Sequence, residues 1–203
     1  MKTVFPLFST PLYYNKVNLD LNLLMSSIKE LEYEFIGNGY CSKDQKILEN
    51  FPSIKRIVEE ELKSFLRDEL MIGEELSLKH TSSWVMKHVE GNHSPSHVHS
   101  NSMYSGILYL QCDDDSGKLE FVIPSMIPTW TSTTLNPEFC IKEWNIINSR
   151  IWDKIPKPKE IFIFPSHLYH GVSEHKSSIE RYCISFNYIL TGEYNMNTGY
   201  LKI

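Results

Sequence analysis

The pattern of apolar and polar positions changes its period near residue 76 of this 203-residue chain. Before that point the spacing is helical. Leu23, Leu24, Ile28 and Leu31 follow Asp20, a residue suited to a helix N-cap, and predict a helix over about 21–34. Ile54, Ile57, Val58, Leu62, Phe65 and Leu66 form an apolar stripe against Glu59, Glu60, Glu61, Lys63, Arg67 and Asp68, which predicts a second helix over about 53–70. Gly37-Asn38-Gly39 breaks the chain between them. Residues 4–14, interrupted by Pro6 and Pro11, read as an edge strand or an extended arm.

From residue 76 the period shortens. Strands are expected over 76–88 (with Trp84), 104–111, 118–123, 159–164 and 181–189, and a polar loop over 90–96. Asp113-Asp114-Asp115-Ser116-Gly117 is a turn signal, so residues 104–123 read as a hairpin. Residues 124–148, with Trp130 and Trp144, read as a long irregular segment, either a lid or substrate wall or a loop packed down by its aromatics. Two helices followed by many short strands imply an α+β, mainly β chain with an antiparallel core. The expected division is an N-terminal arm with supporting helices over 1–75, a β core over 76–190 and a tail over 191–203.

Composition narrows the class. The length suits one domain, and 41% hydrophobic residues can fill a core. A net charge of −5 with no basic run argues against a dedicated nucleic-acid binder. Cys41, Cys112, Cys140 and Cys183 are widely spaced, with neither a Cys-x-x-Cys pair nor a disulfide framework, which fits a reducing cytosol. No apolar run reaches membrane-spanning length, and the first residues lack the apolar centre of a signal peptide. A cytoplasmic protein is therefore expected.

The candidate chemistry begins at His97-Val98-His99. Residues i and i+2 of an extended segment point to one side, so two imidazoles there can hold one ion from one direction. His-x-His alone is a weak signal among eight histidines; its place at a loop–strand junction strengthens it. His170 is the expected third ligand. It follows an apolar strand and Pro165, and Gly171 after it permits close backbone approach; His167 is its competitor. Three nitrogen ligands on one face leave open positions on iron(II) for a cosubstrate and O2. His93 and His175 fall in polar loops and His80 and His88 near a strand; none is assigned a role. Arg181 is one of four arginines and shares a strand face with Cys183, Ser185 and Asn187. Its guanidinium suits a bidentate carboxylate, with Ser185 as a further donor and the Tyr109 hydroxyl reaching from another strand.

These residues carry a resemblance. Phe8-Ser9-Thr10-Pro11, Ser83-Trp84, His97-Val98-His99-Ser100-Asn101-Ser102, Ser105-Gly106-Ile107-Leu108-Tyr109-Leu110, Gly117-Lys118-Leu119-Glu120-Phe121, Phe164-Pro165-Ser166 with His170, and Arg181 to Asn187 occur in the order found in iron(II)- and 2-oxoglutarate-dependent oxygenases. More narrowly, the chain resembles the prolyl-hydroxylase-like type common in marine bacteria and cyanophages. The resemblance implies a double-stranded β-helix (jelly-roll) core with the two helices packed on it. It implies His97, His99 and His170 as metal ligands, with Arg181, Tyr109 and Ser185 on 2-oxoglutarate. It further implies hydroxylation with release of succinate and CO2, and a host-cytoplasm location if the gene is phage-borne. The sequence departs from the family at His99, where a carboxylate is usual, leaving the site about one charge more positive, and at Cys183, where many relatives have serine.

Two other readings fit the same residues: a cupin-like three-histidine dioxygenase working without 2-oxoglutarate, and a non-catalytic jelly-roll binding or phage structural protein. The substrate, a protein side chain or a small molecule, stays open, as does a homodimer.

Overall fold

The computed structural model describes residues 3–5, 9–123, 140–194 and 199–203. Most of the regular secondary structure among the described residues is β, in two antiparallel sheets. The larger has seven strands in the order β1 (Tyr13–Lys16), β9 (Glu160–Pro165), β6 (Tyr104–Gln111), β11 (Arg181–Thr191), β4 (Ser77–His88), β3 (Tyr40–Ser42) and β2 (Tyr33–Phe35). The smaller has four, in the order β5 (Ser94–His97), β10 (His170–Val172), β7 (Leu119–Val122) and β8 (Ile151–Lys154). A two-stranded ribbon of β12 (Glu193–Tyr194) and β13 (Leu201–Lys202) lies in the expected tail.

The period-two alternation sorts the central strands between two cores. Leu108 and Leu110 of β6, Ile161 and Ile163 of β9, and Ile184 and Phe186 of β11 pack with helical residues on one side of the large sheet. Their alternates Ile107, Tyr109, Phe162, Phe164 and Cys183 pack with Leu119, Phe121 and Val172 of the small sheet. A strand covered on both faces reads as a nearly continuous buried run, and β11 is buried from Arg181 to Tyr188. Each fully buried large side chain contributes about 1.5–3 kcal/mol.

Helix α1 (Leu21–Lys29) starts at Asp20, whose side chain accepts the Asn22 N–H, and buries Leu24 and Ile28. It ends five residues earlier than its pattern suggests, because Tyr33–Phe35 leaves to pair with β3. A short helix α2 (Ile47–Asn50) leads into α3 (Pro52–Ser64), which has Pro52 in its first turn and buries Ile54, Val58 and Leu62 on one stripe. One π-helical turn (Phe65–Glu69) continues it. The first 75 residues thus supply three strands of the large sheet as well as helices.

Residues 104–123 do not form the expected hairpin. The turn after β6 exists, with the Ser116 N–H donating to the Asp113 carbonyl and Gly117 at φ +84°. Both edges of β6 are occupied, however, by β9 and β11. The returning strand β7 instead crosses to the small sheet and pairs with β10 and β8. The polar loop expected over 90–96 likewise gives way to strand β5 at Ser94.

Candidate metal and carboxylate site

Strand pairing brings the three histidines together. His97 closes β5 and lies directly opposite His170, the first residue of β10. The approach is tight at the next position: a Cβ on Gly171 would lie 2.7 Å from the Ser94 carbonyl oxygen. His99 sits two residues past His97, its backbone N–H donating to the Ser166 carbonyl at 3.0 Å. One ring nitrogen from each of His97, His99 and His170 lies within 4.8 Å of the others, while His167 is exposed and stands outside this group.

The hydrogen bonds fix which nitrogen each ring presents. His97 Nδ1 is 2.8 Å from the Pro95 carbonyl, His170 Nδ1 is 2.9 Å from the Leu168 carbonyl, and His99 Nδ1 is 2.7 Å from Asn187 Oδ1. All three partners are acceptors, so each Nδ1 carries the proton and each Nε2 a lone pair. A supporting acceptor of this kind is what metal-binding imidazoles use to fix tautomer and orientation. The Nε2 atoms of His97 and His99 are 3.2 Å apart. Two bare lone pairs at that distance repel unless a cation lies beside them, so the donor set fits a metal ion. Burial pushes the His170 pKa down to about 3 and lowers that of His99, where the Asn187 hydrogen bond opposes the shift. Both therefore remain neutral, the ligating form.

Asn187 belongs to a polar cluster behind His99. Its Oδ1 also accepts from Ser105 Oγ at 2.7 Å, its Nδ2 donates to Ser82 Oγ at 3.0 Å, and Ser105 Oγ lies 2.8 Å from Ser166 Oγ. The sequence placed Asn187 on the Arg181 face of the strand, which was the available signal; its pairing with His99 depends on a loop whose course the sequence does not give.

A cavity of about 460 Å³ joins the histidines to the inner face of β11. Arg181, Cys183 and Ser185 line it from one strand, with Tyr109 and Ile107 from β6 and Trp84 and Met86 from β4. Arg181 is 1% exposed, and among the described residues no carboxylate pairs with it. Its Nη2 donates to His88 Nδ1 at 2.7 Å and its Nη1 to the Ser116 carbonyl at 3.2 Å. Its Nε–H and the Tyr109 hydroxyl are buried with no partner among the described residues. Burial raises the Tyr109 pKa, so the phenol keeps its proton and remains a donor. A buried cation without an anion is costly, and two idle donors beside it suit an incoming carboxylate. His88, assigned no role by the sequence, holds Arg181. Of the 124–148 segment only 140–148 lies within the described residues.

Together these features define a mainly β protein with a convergent histidine triad at one part of an internal cavity and an anion-seeking arginine at another. The sequence profile of the Putative 2OG-Fe(II) oxygenase family matches residues 82–187, just over half of the chain, and the chain belongs to that family. It is therefore an enzyme whose cofactors are iron(II) and 2-oxoglutarate. No curated protein matches the sequence. Among solved structures, the fold is similar to HygX from Streptomyces hygroscopicus with nickel and 2-oxoglutarate bound, at TM-score 0.61 and 11% identity over 88% of this chain and 82% of that one. It is similar to a 2OG-Fe(II) oxygenase family oxidoreductase from Burkholderia pseudomallei, at TM-score 0.57 and 12% identity over 83% and 76%. A Pseudomonas putida prolyl-4-hydroxylase aligns at TM-score 0.55 and 12% identity over 89% and 92%. At such identities the likeness concerns the jelly-roll fold.

Proposed function

We propose that the chain, as one oxygenase domain, hydroxylates a C–H bond of a small-molecule or side-chain substrate, consuming 2-oxoglutarate and O2 and releasing succinate and CO2. The observation that carries this reading is the shared cavity. Three proton-free imidazole nitrogens converge on one part of it, and a buried arginine with no carboxylate partner among the described residues lines another. His97, His99 and His170 would hold iron(II), which supplies the O2-activating chemistry when bound. Arg181 would clamp the far carboxylate of 2-oxoglutarate in two-pronged fashion, and the idle Tyr109 hydroxyl and Ser185 would donate to the same oxygens. The burial of Arg181, Tyr109 and His170 keeps water from the cosubstrate. His97 is exposed, and Ile36, Asn38 and Pro95 line the cavity as well, which marks the route for the substrate. HygX has been crystallised with hygromycin B, and the volume of about 460 Å³ here supports a small-molecule substrate.

The test is succinate formation by the full chain reconstituted with iron(II), in air, with 2-oxoglutarate. Succinate above an iron-only blank is expected even without the true substrate, through uncoupled turnover. A protein that takes up iron but forms no succinate would favour the three-histidine dioxygenase without 2-oxoglutarate. One that takes up no iron would favour a binding role.

A further inference from the structure

The partner of Arg181 is a neutral ring. His88 is fully buried and faces Arg181 in register across β4 and β11. Because His88 Nδ1 accepts from the guanidinium, its proton sits on Nε2, 3.3 Å from Ser94 Oγ. Ser94 lies on β5, the strand that ends at His97, so one imidazole links the arginine to the histidine-bearing strand. The ring is wedged under Gly39, where a Cβ would lie 2.6 Å from its Cδ2. The third backbone-fixed element is the Asp-rich turn after β6, whose Ser116 carbonyl takes the other guanidinium nitrogen. Burial first, and then the arginine charge, push the His88 pKa down to about 2. An acid in this place would orient the guanidinium equally well but would cancel its charge.

Resting on the 2-oxoglutarate reading above, we propose that His88 is a positioning residue that aims the Arg181 guanidinium into the cavity with its charge uncancelled, so that the site selects a 2-oxo acid bearing a second carboxylate. The imidazole supplies direction without competing for the anion. Ser116 alone would leave the guanidinium free to swing about one hydrogen bond.

The experiment compares 2-oxoglutarate with pyruvate, a 2-oxo acid lacking the far carboxylate, by calorimetric titration into the Ni(II)-loaded full chain. The wild type is expected to favour 2-oxoglutarate on the order of 10–100-fold, as one charge-assisted contact pair provides. In His88→Leu and His88→Glu that preference should fall by about tenfold with pyruvate binding unchanged, the first variant losing the direction and the second the free charge. His88→Gln, whose amide oxygen can accept from Nη2, should stay within about threefold of wild type. Unchanged 2-oxoglutarate affinity in His88→Leu and His88→Glu overturns the proposal. So does an equal loss of both ligands, which would mark a merely structural residue, or a His88→Gln as weak as His88→Leu. If Arg181→Met also leaves 2-oxoglutarate affinity intact, the failure lies in the 2-oxoglutarate reading itself.

Discussion

Asn187 accepts the Nδ1 proton of His99 at 2.7 Å, and so decides which nitrogen His99 turns toward His97 and His170. The amide does this from the same strand face that carries Arg181 and Ser185, so one strand supports both the histidine and the arginine parts of the cavity. Replacing it by leucine should lower Ni(II) or Co(II) affinity by about 10–100-fold, the usual effect of losing a supporting hydrogen bond to a ligand histidine. Asn187→Asp keeps an acceptor and should bind within a few-fold of wild type. Metal titration of the purified variants reads both.

His99 itself stands where the family resemblance leads one to expect a carboxylate. If it ligates, His99→Ala should weaken iron(II) binding by more than about 100-fold, beyond the effect of losing a supporting hydrogen bond. Anaerobic iron titration measures it, and full affinity in His99→Ala would refute the three-histidine assignment.

Gly171 keeps β10 and β5 close enough for His170 to meet His97. An added methyl would press on the Ser94 carbonyl at 2.7 Å, and backbone cannot step aside as a side chain can. Gly171→Ala should therefore reduce metal affinity while the large sheet keeps its circular-dichroism spectrum. Leu108→Ala supplies the contrast. Leu108 is fully buried between the large sheet and the helices, away from the cavity lining, so its truncation should cost about 2–5 kcal/mol of stability and leave metal affinity unchanged.

If Arg181 anchors the cosubstrate as proposed, it governs the thermal response to 2-oxoglutarate. With metal present and 2-oxoglutarate at a hundredfold its Kd, the wild type should gain about 2.7 kcal/mol, or roughly 5–10 °C in Tm for a chain of this size. Arg181→Lys offers a point charge in place of the two-pronged fork and should lose most of that shift at the same concentration. Differential scanning fluorimetry distinguishes the two.

The legible parts of the chain were those with local signatures. His97 and His99 share a side because extended chain has period two, and Asp20 caps α1 through its own side chain. Arg181 and Ser185 reach one cavity for the same reason of period. What stayed hidden depends on which strands become neighbours. His88 has no sequence spacing to Arg181 that marks it as a partner; only the β4–β11 register creates the contact. The Asp113–Gly117 turn was readable, but the destination of β7 was not, since it depends on β9 and β11 having filled both edges of β6. Strand β5 has no local signature, because Ser94, Pro95 and Ser96 carry little apolar signal and the strand is held by backbone pairing to β10.

In the proposed site one iron, held by His97, His99 and His170, shares its cavity with a 2-oxoglutarate anchored on Arg181. Its most direct test is anaerobic titration of the iron(II)-loaded protein with 2-oxoglutarate, followed by visible absorption. The expected result is a weak charge-transfer band that saturates at about one equivalent of 2-oxoglutarate, as a single chelate on one metal requires. An iron-loaded protein that shows no band at any concentration of 2-oxoglutarate would rule this arrangement out.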